Sequence, residues 1–203
     1  MSISSNVTAA PLQKKLERQG HGFDNEELLK KRFGLTKYTD EKSNDYTSKY
    51  DAVAPDGIPV SIKTEALGSD IELGDYFRNS RITDDYYMIV SFWEGKKDNI
   101  VKNLFVLIPG TKWTTFFDSQ WDDKIRKLIS EASNERSYDA EWTRRRKELA
   151  AEYGTQFIRL RPKRDHKSQK RMQCAISYKE FAVFAEENKT TAFEKWDILN
   201  PLV

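Results

Sequence analysis

The chain is poor in metal-soft and redox-active side chains, with one cysteine and two histidines among 203 residues. Cys174 has no second cysteine to pair with, so a reducing, cytoplasmic setting is expected. So few histidines and cysteines argue against a zinc site built from protein ligands. Any metal is expected to be hard and oxygen-bound, with magnesium first. Apolar runs of membrane-spanning length are also missing. The opening MSISSNVTAAPLQKK has no basic region followed by an apolar stretch, so a secretory leader is not expected. There is no internal repeat, no low-complexity tract and no P-loop or helicase motif of a motor subunit.

Charge is abundant but nearly balanced, at +2 overall, with 33% charged and 38% hydrophobic residues. The balance is uneven along the chain. Between Gly154 and Arg171 stand seven Lys or Arg residues and one acid, Asp165. A local basic stretch matters more to a polyanion than the global sum. The length suits one domain with a sizeable core.

Periodicity and turn residues outline the elements. Ala10 to Arg18 is a polar helix candidate ending at Gly20. Asp24 and Glu27 have capping-box spacing ahead of a helix over Asn25 to Arg32, stopped by Gly34. Thr36 to Ser48 is polar and read as loop. Leu67 to Asp75 is read as loop passing into a short helix, IELGDYFRN. Tyr86 to Trp93 and Val101 to Ile108 are apolar runs suited to central strands buried on both faces. Helices are expected at Trp113 to Phe117, Gln120 to Ala132 and Asp139 to Tyr153. Alternating strands follow at Gln156 to Arg161 and Met172 to Ser177, with a basic loop between them. Ser177 is expected to cap a helix over Tyr178 to Glu187. The order implies an α/β domain with a mixed sheet flanked by helices.

The run KYDAVAPDGIPVSIK, Lys49 to Lys63, carries the chemistry. It reads as two strands joined by the turn Ala54-Pro55-Asp56-Gly57, so Asp56 is turn chemistry. The hairpin sets Asp51 opposite Val60 or Ser61, and Ser61 and Lys63 share a strand face. An acid, a hydroxyl and a lysine thus converge. The plain alternative is a cross-strand ion pair, worth about 0.2–1 kcal/mol.

KYDAVAPDGIPVSIKT resembles the core of the PD-(D/E)XK nuclease superfamily, which includes most type II restriction endonucleases. The preceding GFDNEELL resembles the acid-bearing helix that opens that core. The likeness covers about residues 20–108, roughly half the chain. It implies a restriction-endonuclease-like mixed sheet, with Asp51 as the metal-binding acid, Lys63 as the lysine and Glu26 as the helix acid. Ser61 stands where the second acid belongs, two residues before Lys63. Some restriction enzymes with serine there draw the acid from a neighbouring helix. Glu72 is the expected substitute here, with Asp75 and Glu65 behind it. The carbonyl of Ile62 is a further expected metal ligand.

The C-terminal basic segment, FIRLRPKRDHKSQKRMQCAIS, is read as the DNA-contacting part. Arg159 and Arg161 share one strand face, and Lys163, Arg164, Lys167, Lys170 and Arg171 crowd the connection. With His166 and Gln169, these side chains suit phosphates and base edges. Arg144 and Arg146 are weaker phosphate candidates. The expectation is a single domain over residues 1–203, with a nuclease core to about 110 and a half for recognition and subunit contact over 111–203. The implied activity is that of a magnesium-dependent type II restriction endonuclease acting on double-stranded DNA as a homodimer. The alternatives are a repair or junction-resolving nuclease of the same superfamily, or a catalytically inactive DNA-binding protein with a nuclease fold.

Overall fold

The computed structural model describes residues 24–39, 48–133, 140–153, 157–164 and 170–196. The first helix, α1, covers 24–33. Strands β1 (Thr36–Lys37), β2 (Ala52–Val53), β3 (Pro59–Ala66) and β4 (Ile71–Asp75) follow, then the short helix α2 (Tyr76–Asn79). Next come β5 (Tyr86–Trp93), β6 (Ile100–Ile108) and the helices α3 (Gly110–Thr114), α4 (Asp122–Ser133) and α5 (Ala140–Glu152). Strands β7 (Ile158–Arg164) and β8 (Lys170–Ile176) and helices α6 (Tyr178–Glu187) and α7 (Ala192–Trp196) end the series. The helix expected over Ala10 to Arg18 lies outside the described residues.

Two sheets form a mixed α/β architecture. The larger is five-stranded in the order β1-β2-β3-β5-β6, and the smaller is three-stranded in the order β4-β8-β7. In the larger sheet β3 and β5 run parallel, whereas the β2–β3 and β5–β6 pairs are antiparallel. Strand β5 is buried from Tyr86 to Phe92, which its apolar, β-branched and aromatic composition favours. Side-chain alternation divides it between two cores. Met88, Val90 and Phe92 join the larger core, which packs against β4, β7 and β8. Tyr87 and Ile89 join a smaller core with Leu29 and Phe33 of α1 and Phe193 of α7.

That division positions the face of β3 that matters. Ser61 pairs with Met88, Lys63 with Val90 and Glu65 with Phe92, so these three side chains look toward the larger core. Val60 and Ile62 look toward the smaller one. A polar row is thus set against the seam between the two sheets.

The turn before β3 is built as its composition implies. Gly57 N–H donates to Ala54 O (2.9 Å), and Gly57 takes a φ of +88° that suits glycine. The Asp56 carboxylate accepts from Ile58 N (3.1 Å) and from Tyr87 Oη (2.8 Å). Burial first, and then the Asp56 carboxylate, push the Tyr87 hydroxyl up to about 12.

Several expectations are corrected. Ile71–Asp75 is a strand and not the start of a helix: Ile71 and Leu73 are buried while Glu72 is exposed, and β8 supplies the ladder. Helix α2 starts only at Tyr76, with Asp75 Oδ1 accepting from Arg78 N (2.9 Å). Strand β6 is an edge strand and not a central one, with Val101 and Lys102 exposed, while its second half packs on both faces, Val106 and Ile108 in the larger core and Phe105 and Leu107 against the smaller one. Thr36–Lys37, read as loop, forms a short antiparallel rung with β2. Asp24 lies inside α1 and Glu27 bonds Lys30 (3.1 Å), so no capping box forms there. The described ends of the basic connection, 162–164 and 170–171, are strand, since β7 runs to Arg164 and β8 begins at Lys170, and residues 165–169 lie outside the described residues.

The N- and C-terminal halves interlock. Strand β4 pairs with β8 across the smaller sheet, and the larger core draws on both halves. Among the described residues, no helix is long and apolar enough to cross a membrane.

Candidate active site

The hairpin's backbone rungs are short, and Asp51 continues them with its side chain. Asp51 N–H donates to Val60 O (2.9 Å), the rung beside the Ala52–Val60 pair. The next donor on that edge of β3 is Ile62 N–H, which has no strand residue opposite. Asp51 Oδ2 accepts it at 2.6 Å. The same oxygen accepts from Ser61 Oγ (3.3 Å) and Lys63 Nζ (3.4 Å). Among the described residues, Asp51 Oδ1 takes no hydrogen bond. The Asp51 and Lys63 side chains are 32% and 20% exposed, half-sheltered and still reachable by a solute.

Lys63 Nζ also donates to Ile62 O (3.1 Å). Asp51 and the Ile62 carbonyl, the two oxygen donors expected to share a metal, therefore share an ammonium. They are close enough to contact a single cation.

These groups open into a cleft of about 840 Å3 lined by Asp51, Ser61, Lys63 and Glu26 among others. Among the described residues, six Lys or Arg line it, Lys30, Lys31, Lys37, Lys49, Lys63 and Arg78, against the acids Glu26, Glu27 and Asp51. Glu26 is brought to the cleft as expected, but it is engaged by Lys30 Nζ at 2.6 Å. Burial opposes the charge on Lys30, yet its hydrogen bonds to Glu26 and Glu27 outweigh that and raise its pKa.

Glu72 stands differently from the expectation. It lies on β4, 47% exposed, with Oε1 3.7 Å from Arg161 Nε. It lines an adjoining cavity of about 700 Å3, and not the cleft that holds Asp51. The two cavities share Lys63, Leu73 and Arg78. Asp75 is occupied in capping α2. Among the described residues, no three His, Cys, Asp or Glu side chains converge as a metal cluster.

Glu65, two residues beyond Lys63 on the same strand face, accepts a hydrogen bond from Glu72 N (3.0 Å). Burial, with the Glu72 carboxylate adding to it, pushes Glu65 up to about 7. The Glu72 N–H and the charges of Lys63 and Lys97 offset this only in part.

On β7, Arg159 and Arg161 share an exposed face, as alternation predicts. Both are held by one carboxylate at the turn between β3 and β4. Arg159 Nη1 reaches Asp70 at 3.1 and 3.2 Å, and Arg161 Nη2 also bonds Asp70 Oδ2. Lys163, Arg164, Lys170 and Arg171 are placed on the β7–β8 ribbon by their backbones. His166, Lys167 and Gln169 lie outside the described residues. Arg144 pairs with Glu148 at 2.6 Å, and the Arg146 side chain is outside what is described.

Two groups at the site escaped sequence reasoning: Arg78, which lines both cavities, and Asp70, which neutralises part of the β7 arginine face. The only local signal for Arg78 was a cation one turn after an Asp that caps a helix. Asp70 had none, because its partners are 89 and 91 residues away. No family model, no curated protein and no solved structure matches the chain.

Proposed function

We propose that this protein is a magnesium-dependent endodeoxyribonuclease of the type II restriction kind. In this reading it cuts double-stranded DNA at a short sequence, acting as a homodimer inside the cell. One observation carries the proposal: Asp51, Ser61 and Lys63 converge in a cleft where, among the described residues, cations outnumber carboxylates. A polyanion is drawn to such a cleft, and a phosphodiester entering it meets an acid and an ammonium together.

The donors suit magnesium. Asp51 Oδ1 and the Ile62 carbonyl are hard oxygens, and Lys63 Nζ already contacts both residues' oxygens. Asp51 would supply the carboxylate and the Ile62 carbonyl a second oxygen for such an ion. When bound, it would neutralise phosphate oxygens and activate a water. The chain's own groups do the rest. Ile62 N–H and Ser61 Oγ fix the orientation of the Asp51 carboxylate. Lys63 stabilises negative charge that develops on the phosphate oxygens.

The test is plasmid cleavage with magnesium, comparing the parent with Asp51→Asn and Lys63→Ala. Asparagine keeps an acceptor for Ile62 N–H, so Asp51→Asn should stay folded. The half-exposed ion pair itself is worth about 0.2–1 kcal/mol of stability. Each variant is expected to cut about a hundredfold or more slowly. Cutting at the parental rate by both rejects the proposal. Discrete fragments from plain duplex favour restriction, and preference for branched DNA favours a repair or junction-resolving nuclease.

A second reading has its own support. Ser61 replaces an acid, and Glu72 is engaged by Arg161. Both suit a DNA-binding protein that does not cut. Duplex binding without magnesium-dependent cleavage would establish it.

A further inference from the structure

Arg78 occupies an unusual electrostatic position. It lines both the cleft of Asp51 and the adjoining cavity beside β7, so its guanidinium stands where the two meet. Among the described residues it makes no ion pair. Arg144, Arg159 and Arg161 do, with Glu148 and Asp70. An arginine with no carboxylate partner among the described residues, in a partly buried wall, keeps its charge and most of its donors for an anion from solution.

Its position is set from three sides. The Arg78 backbone N–H is fixed by Asp75 Oδ1 at 2.9 Å. Nη1 donates to the Ser48 carbonyl at 3.2 Å. Nη2 passes over Gly74, 2.8 Å from where a Cβ would stand, and Gly74 has a φ of +87°. A glycine in the left-handed region thus opens the space the guanidinium uses. Of five N–H donors, one is taken by Ser48, and a planar fork held this way is ready for bidentate contact with a phosphate.

We propose that Arg78 binds a backbone phosphate of the nucleic-acid strand, adjacent to the one that reaches Asp51 and Lys63. This rests on the nuclease reading of the cleft. It identifies the path of the strand: from the lysine-lined cleft, past Lys63 and Arg78, into the cavity walled by Arg161 and Gln173. Arg78 is a binding and positioning residue in that path.

The experiment measures binding of a 20-base-pair duplex in EDTA across a salt series, for the wild type, Arg78→Gln and Arg78→Lys. Plasmid cleavage in magnesium is measured alongside, and thermal midpoints report folding. Loss of one phosphate contact should flatten the slope of log K against log salt by about 1 and weaken binding roughly tenfold near 0.1 M salt. Arg78→Lys should restore the slope while binding less tightly, because an ammonium keeps the charge and loses the fork. A merely structural arginine would lower the midpoint and leave the slope alone. Unchanged slope and affinity in Arg78→Gln, with the wild type still cutting, overturns the inference alone. A slope reduced by Arg78→Gln in a protein that never cuts supports the phosphate site and overturns the nuclease reading. A wild type that binds no duplex overturns both.

Discussion

Asp70 offers a perturbation in which stability and DNA binding are expected to move in opposite directions. Its carboxylate is 17% exposed and holds two arginines that are 50% and 46% exposed. Ion pairs with partners this accessible are worth about 0.2–1 kcal/mol each. Asp70→Asn keeps an oxygen acceptor and removes the charge, so the loss should be about 1 kcal/mol in total. For a chain of this size that lowers the thermal midpoint by about 2–4 °C. For DNA the sign reverses, because the β7 face gains one net positive charge. If that charge meets a phosphate, it releases about 0.9 of a counterion. At 0.1 M salt this amounts to roughly an eightfold gain in affinity, with a salt slope steeper by up to about 0.9. Fluorescence anisotropy of a labelled duplex against salt, together with a melting curve, reads both quantities. Equal affinity and equal slope in Asp70→Asn would show that Arg159 and Arg161 do not face the nucleic acid. Weaker binding would show that Asp70 is needed to hold the ribbon in its binding position, which also contradicts a competition between Asp70 and phosphate.

Glu65 and Gly110 provide two further checks. The unfolded chain ionises Glu65 near its ordinary value of 4.5, whereas the folded carboxyl holds its proton to about 7. The unfolded state therefore binds fewer protons between those values, and stability falls as pH rises through that window, with the penalty complete above about 7. Glu65→Gln should flatten this fall and raise the midpoint at pH 8; denaturant titrations at pH 5 and pH 8 would show no difference between variant and parent if Glu65 were ordinary. Gly110 opens α3 with its N–H on Asp85 Oδ1 at 2.8 Å, and a Cβ there would stand 2.0 Å from the Thr83 carbonyl oxygen. Because that neighbour is backbone, Gly110→Ala should cost about 1–3 kcal/mol or more by denaturant unfolding, and a change below about 0.5 kcal/mol would refute the close approach.

The hairpin was legible because its information is local. Pro55, Asp56 and Gly57 specify the turn, and the turn brings Asp51 to Ser61 and Lys63 within a dozen residues of chain. The apolar run of β5 was equally plain. Strand β4 was missed because its pattern is only five residues long and is interrupted by a left-handed Gly74 at a register shift, while its partner β8 lies about a hundred residues on. Strand β6 stands at the edge and not the centre of its sheet, and an apolar run does not reveal whether a further strand covers its edge. At the site, the place of Glu72 depended on β4 joining the second sheet, which turns its side chain toward Arg161. The same tertiary step brings α2, and with it Arg78, to Ser48.

The Ile62 amide, bonded to a carboxylate where the β2–β3 ladder stops, is a reporter already present in the molecule. Its proton lies 2.6 Å, heavy atom to heavy atom, from the oxygen whose charge any cation or proton at Asp51 must alter. Neutralising that oxygen weakens a charge-assisted bond and leaves the amide with no strand neighbour to turn to. One backbone resonance should therefore shift, and exchange faster with solvent, when magnesium or acid reaches the site, while the amides of buried β5 stay as they are. Occupancy of the cleft can be followed from that single signal with no label, no substrate and no turnover.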